Sequence, residues 1–259
     1  AFKGVLSRLA IGAVVAKEVK DAFKEGAALE QSIGGIETLF KNSSDKMKEY
    51  ASNAWKTAGL SANQYMETAT SFSASLLQSL KGDTKKAAEA SNMAITDMAD
   101  NANKMGTSMQ SIQDAYQGFA KQNYTMLDNL KLGYGGTKTE MERLLKDAQK
   151  LTGVKYDINN LNDVYSAIHA IQGELGITGT TAKEATETLS GSFSSLKATY
   201  KDLLGNLLLG KDLKGPLNNF VQSIITVTKN VIPAIVNIVK SLPNAILGAL
   251  AKLAPEIGP

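Results

Sequence analysis

The stretch KLGYGGTKTEMERLL, residues 131–145, decides how this sequence is read, because its glycines and lysines fit two opposed local structures. Gly133, Gly135 and Gly136 lie among Lys131, Tyr134 and Lys138, the composition of a loop that cradles phosphate. Such a loop needs a glycine, four spacers and then Gly-Lys-Ser/Thr, so that backbone N–H groups surround the phosphates while the lysine neutralises them. Here Thr137 separates Gly136 from Lys138, no glycine stands five residues before Gly136, and the preceding NYTMLDNL is too polar for a buried strand. The other reading is a helix start. Thr137 and Glu140 have the T-x-x-E spacing of a capping box, in which the threonine oxygen takes the N3 amide and the glutamate reaches back to the cap residue's own N–H. Met141, Leu144, Leu145, Ala148 and Leu151 then share a face, Glu142 and Lys146 can pair on the other, and Gly153 supplies the stop. Gly133, Tyr134, Gly135, Gly136, Thr137 and Glu140 are therefore expected to form a structural loop and cap with no cofactor, the glycines serving positive φ.

Outward from that helix, the totals favour an all-α protein. The 259 residues suffice for one or two domains. Aromatic residues make up only 6% and prolines number five, while Ala, Ser, Thr, Lys, Asn and Leu dominate, which suits amphipathic helices joined by short Gly/Asn turns. A net charge of +3 with both signs interspersed argues against a specific nucleic-acid site, which needs clustered Lys and Arg. The absence of cysteine excludes disulfides, thiolate-bound zinc and thiol catalysis. His169 is the single histidine and sits beside the apolar stripe Leu161, Val164, Tyr165, Ile168 and Ile171, so it reads as a packed or edge residue and no metal site is expected. Counting leaves open a Ser-His-Asp or acidic-pair hydrolase, yet no spacing supports one: Glu184 and Glu187 fall at i,i+3 on a solvated helix face. No catalytic residue is expected. The start AFKG falls in mid-pattern, and Lys17, Glu18, Lys20 and Asp21 follow the first apolar run where a signal peptide would carry small residues, so the chain reads as a piece of a longer protein.

Residues 1–25 read as a helix whose apolar side changes from Phe2, Val5, Leu6 and Leu9 to Ile11, Val15, Val19 and Ala22. The pattern loosens through Gly34 and Gly35. Helices are expected at about 44–58, 62–80, 84–105 and 108–121, with Ser61 and Gln64 as a second capping box and Asp83 as a further cap. Methionines 93, 98, 105 and 109 mark adaptable packing rather than a cofactor box. Thr181 and Glu184 form a third box, and Phe193, Leu196, Tyr200, Leu203 and Leu207 recur at 3-4 spacing, a seam of about two heptads compatible with a short coiled coil or an ordinary amphipathic helix. From Leu213 to Pro255 no acidic residue occurs, and the segment is apolar nearly all round, cut by Pro233 and Pro243. Lys229, Lys240 and Lys252 limit its uncharged runs to below the ~18–20 residues of a membrane span.

The segments IGGIETLF at 33–40, AGLSANQYMETATSFSASLLQSL at 58–80, ADNANKMGTSMQSIQDAYQGFAKQNYTMLDNLKLGYGGTKTEMERLL at 99–145 and GTTAKEATETLSGSFSSLKATYKDLL at 179–204 carry a likeness of another kind. In order and content the chain resembles the tail tape measure proteins of long-tailed bacteriophages of Gram-positive bacteria. That resemblance implies an extended helical molecule in the tail tube, in about three copies, whose length sets the tube's and which takes part in genome ejection. A helix rises ~1.5 Å per residue, so this chain as one rod would span ~390 Å. Its turns, spaced 15 to 25 residues apart, point instead to a folded region attached to the ruler. The expected organisation is an N-terminal helix at 1–25, a helical tape-measure domain at 26–210 and an apolar Pro-kinked helical segment at 211–259. Expected partners are other copies of the chain, as a trimer, and tail-tube and tip proteins. The host membrane is the alternative partner, entered by the C-terminal segment to form a DNA passage. The self-association or membrane surface is expected at Phe220, Val221, Ile224, Ile225, Val231, Ile232, Ile235, Val236, Ile238 and Val239.

Overall fold

The computed structural model describes residues 20 and 23–241, without the side chains of 235 and 238–241. The readings placed on Phe2 to Val19, on Ala22 and on Pro243 lie outside the described residues. Within them the protein is about 80% helical and contains no strand. After α1 (residues 23–40) and a 3-10 turn at Lys41–Ser43 come α2 (Ser44–Thr57), α3 (Ala62–Ser79), α4 (Thr84–Met105) and α5 (Met109–Ala120). A second 3-10 turn, Leu127–Leu130, leads to α6 (Lys138–Thr152), α7 (Leu161–Glu174), α8 (Thr180–Glu187), α9 (Leu189–Leu208) and α10 (Lys214–Ser241).

Helix starts follow the caps written in the sequence. Ser61 and Gln64 complete a reciprocal box at α3, and the Asp83 carboxylate accepts the Lys86 N–H at 3.0 Å at α4. Each cap gives one of the first-turn amides a partner, typically worth about 1 kcal/mol. Where the apolar pattern loosens at Gly34 and Gly35, α1 nevertheless runs straight through. A Cβ at Gly35 would stand 3.1 Å from Thr70 Cγ2, so the glycine admits close approach of α3 to α1.

Packing centres on α4, which touches α2, α3, α5, α7 and α8. Its inner positions are small, with Ala87, Ala88 and Ala94 buried beside Ile95 and Met98, and small residues let neighbouring helices come near. Of the methionines at 93, 98, 105 and 109, only Met98 is fully buried; the others pack at the margin of the core. The large volume comes from aromatics on α3, α5 and α7. Phe72 meets Tyr165 edge-on with centroids 5.6 Å apart, and Tyr165 lies 5.0 Å from Tyr116. The buried Tyr165 hydroxyl donates to the Tyr116 carbonyl at 2.9 Å, which offsets its desolvation.

Candidate interaction surface

The Gly-rich loop is built for packing, by means that differ from a simple capping box. Thr137 Oγ1 accepts the Glu140 N–H at 3.2 Å, as expected. Glu140, however, does not return to Thr137: its Oε2 accepts the Gly135 N–H at 3.0 Å and the Arg143 guanidinium at 2.6 Å. The Thr137 N–H is already bonded to the Gly135 carbonyl at 2.9 Å, so the glutamate captures the next free amide upstream. Arg143 also donates to the Gly133 carbonyl at 2.7 Å and stacks 4.2 Å from the Tyr134 ring centroid. Tyr134 donates in turn to Asp147 at 3.1 Å; burial and this carboxylate push its hydroxyl up to about 12. Arg143 holds Glu140 down at about 2. The helix's ion pairs run through Arg143, Asp147 and Lys150, so the expected Glu142–Lys146 pair is replaced.

The loop's glycines divide by role. Gly133 has φ 85°, the left-handed conformation expected of it, whereas Gly135 and Gly136 do not take positive φ. A Cβ on Gly136 would overlap the Thr125 carbonyl, so that position needs glycine for space. A Cβ on Gly135 would meet only Glu140 Cγ at 3.5 Å, an ordinary contact. Lys138 merely opens α6. Beyond it Met141, Leu144, Leu145 and Ala148 are buried as expected, while Leu151, in the last turn, is 47% exposed.

Two buried acids on α4 organise the adjoining helices. Asp100 accepts the Gly179 N–H at 2.6 Å and the Thr181 N–H at 2.8 Å, so a carboxylate from another helix caps α8. The expected Thr181–Glu184 box is therefore not formed: α8 begins at Thr180 behind left-handed Gly179. Asp97, one turn earlier, takes His169 Nδ1 at 2.8 Å. The histidine is thus neither simply packed nor at a bare edge, but tied to a buried carboxylate. That hydrogen bond raises its pKa against the opposing effect of burial, while burial raises the pKa of Asp97.

The exposed apolar surface lies on α9 and α10. Of the α9 stripe expected to form a short seam or an amphipathic face, Phe193 and Leu207 are 51% and 54% exposed and Tyr200 is at the margin, while Leu196 and Leu203 are half-buried. The buried side consists of Ser192, Ser195, Ala198, Thr199 and Gly205. Ser195 donates to the Trp55 carbonyl at 3.1 Å, so α9 docks on α2 through small and polar groups. Its helix is also separate from α8, since the chain breaks at extended Thr188.

Helix α10 repeats the inversion and is not uniform around its axis. Its inner side is marked by Ser223, fully buried and 2.8 Å from Thr199 Oγ1, and by Asn230, which donates to the Thr186 and Thr188 carbonyls at 3.2 Å each. On the outer side, Leu217, Val221, Ile224, Ile225, Ile232 and Val236 are 40% to 56% exposed. At 100° per residue they fall within about a third of the helix circumference. Phe220 and Val231 are half-buried, Phe220 against Tyr200 with centroids 5.8 Å apart. The side chains of Ile235, Ile238, Val239 and Lys240 lie outside the described residues, while Lys229 is exposed. The helix continues through Pro233. Among the described residues no helix is long and apolar enough to cross a membrane, and no group of three or more His, Asp or Glu could hold a metal ion.

Comparison with protein-family models, with curated proteins and with solved structures finds no match to this chain. The fold and surface therefore define an all-α helical protein with an outward-facing apolar hairpin. The sequence reading placed an apolar surface on α10 but took it as apolar nearly all round, whereas the exposed aliphatic side chains lie along one side. It missed Arg143, Asp97, Asp100 and Asp202, whose partners lie on other turns or helices. Only acidic residues at the inner positions of α4, spaced i,i+3, hinted at the polar anchors.

Proposed function

We propose that this chain is a structural, assembly-directing tail protein of a long-tailed bacteriophage, a folded helical region attached to a tape-measure ruler. The bundle anchors the ruler at one end of the tail tube, and the outer face of α10 packs against other copies of the chain or against tip proteins. The likeness of residues 26–210 to tape measure proteins supports the phage assignment. The observation that carries the assembly role is the α10 stripe, with large aliphatic side chains 40% to 56% exposed along one side. Fully burying one such side chain is worth ~1.5 to 3 kcal/mol, and these are about half-exposed. Their summed burial is thus of the size that offsets the cost of association. The lack of acidic residues from Leu213 to Pro255 keeps the stripe free of buried carboxylates in such an assembly.

Two measurements test this. Mass spectrometry of purified phage tails should find the chain, and a density map should place its helices at one tail end around the axis; tails that lack it overturn the assignment. The soluble 259-residue chain should sediment as an oligomer and ignore added liposomes. A monomer that partitions wholly into liposomes overturns self-association and makes lipid the partner.

A further inference from the structure

On the side of the molecule where the hairpin meets the bundle, α1, α2, α3 and the turn into α10 enclose an open cleft of about 440 Å³. Leu29, Ile33, Ala51 and Met66 line it with carbon, and Asp202 of α9 reaches its wall. One oxygen of Asp202 accepts the Ala62 N–H at 2.7 Å, at the first residue of α3. Among the described residues no basic side chain comes within ion-pair distance of this carboxylate. Its neighbour Lys201 is 3.2 Å from Glu25 of α1, and Lys48 of α2 is held by Glu37 and Asp45 at 2.9 and 3.1 Å. Lys211 stands at the cleft in the turn after α9 and is exposed.

A half-buried carboxylate with a single backbone donor is short of the donors that would replace its water. Here it borders a cavity of the size that admits a small organic group, whose mixed lining includes the carbon of Leu29, Ile33, Ala51 and Met66. We propose that this cleft binds a primary ammonium group carried on a short apolar stem, with Asp202 as its counter-ion and the Leu29, Ile33 and Met66 side chains against the stem. The ammonium supplies the charge and hydrogen bonds the carboxylate lacks, and the stem lies against the cleft's carbon lining. Burial, with Glu25 adding like charge, raises Asp202 to about 7 against the opposing effects of the Ala62 hydrogen bond and the Lys201 charge. The chemistry is shared by free alkylamines and by the lysine side chain of a protein.

The test follows the Ala62 amide of the 259-residue chain by heteronuclear NMR, because that N–H is bonded to Asp202 itself. n-Butylammonium stands for a free amine, Nα-acetyl-lysine methylamide for a protein lysine, and n-butanol for the stem without charge. Either amine should shift Ala62 saturably, and the tighter of the two names the source. Butanol should do so far more weakly. Affinity should rise as the pH increases through about 7, where the proton stops competing for the carboxylate, and level off above. Asp202→Asn keeps an acceptor for the Ala62 N–H and removes the charge, so it should weaken amine binding by about tenfold or more while leaving the circular dichroism spectrum unchanged. Unshifted Ala62, equal response to butanol, or an affinity in the parent chain that ignores pH between about 5.5 and 8.5 overturns the proposal.

Discussion

In α7, Leu161, Val164, Tyr165, Ile168 and Ile171 are buried, whereas in α9 the buried residues are Ser192, Ser195, Ala198, Thr199 and Gly205, and Phe193, Tyr200 and Leu207 face out. Both helices are amphipathic with similar periodicity, and they are mounted with opposite faces to the core. The bundle closes on itself through interlocked aromatics. The α9–α10 hairpin holds to it by polar threads: Ser195 to Trp55, Asp202 to Ala62, Asn230 to the α8–α9 junction. The difference teaches that an apolar stripe identifies a surface to be covered without saying by what. In the bundle the cover is intramolecular, whereas on α10 the large aliphatic side chains stay 40% to 56% exposed.

The comparison can be broken most directly in the core. Phe72→Ala removes a fully buried ring from between α3 and α7 and should cost about 3 to 5 kcal/mol in urea unfolding. A loss below about 1 kcal/mol would mean the bundle is not closed as described. Next comes the loop before α6. Gly136→Ala forces the backbone at 136 away from the Thr125 carbonyl and should cost about 1 to 3 kcal/mol, while Gly135→Ala and Lys138→Ala should stay within about 0.5 kcal/mol. Comparable losses at 135 and 136 would contradict the division of roles, and ATP binding abolished by Lys138→Ala would restore the phosphate reading.

A smaller effect is expected from pH. His169 is raised by its bond to Asp97, so its contribution is fully present below the ordinary histidine value of 6.5 and is lost as pH rises through the folded value. Asp202, raised to about 7, acts with the same sign, its contribution present below the ordinary carboxylate range and lost as pH rises through about 7. Stability should therefore fall as pH rises from about 4 to about 7 through Asp202, with a further fall above 6.5 through His169. His169→Asn should reduce that fall by less than about 1 kcal/mol, since the ring is partly solvated and its pairing screened. An unchanged slope would remove the histidine from the account.

The smallest change in stability should come from the hairpin. Val221, Ile224 and Ile232, replaced together by serine, should alter unfolding of the isolated chain by only about 0.5 kcal/mol beyond the cost of dissociation, yet sedimentation should shift to the monomer. A large loss of monomer stability would show that the stripe is internal after all, and the two regions would then be built alike.

Sequence alone determined the helices and much of where they begin. Ser61 with Gln64, Asp83 and Thr137 act on amides within their own first turn, so local spacing suffices to find them. Gly153 ends α6 in the left-handed conformation for an equally local reason. The apolar character of α10 was likewise legible, though not its division into an aliphatic outer side and an inner side marked by Ser223 and Asn230. Tertiary structure decided the rest, because the deciding groups are far apart in the chain. Asp100 displaces the expected cap of α8 from 79 and 81 residues away. Gly136 is required by the carbonyl of Thr125, and Gly35, where the pattern only loosened, by the proximity of Thr70. Above all, the periodicity of α9 reports two unlike faces but carries no sign for inside and outside. Small residues allow the backbone near the bundle and polar ones find carbonyls there, so packing chose the face that hydrophobicity alone would have turned to water.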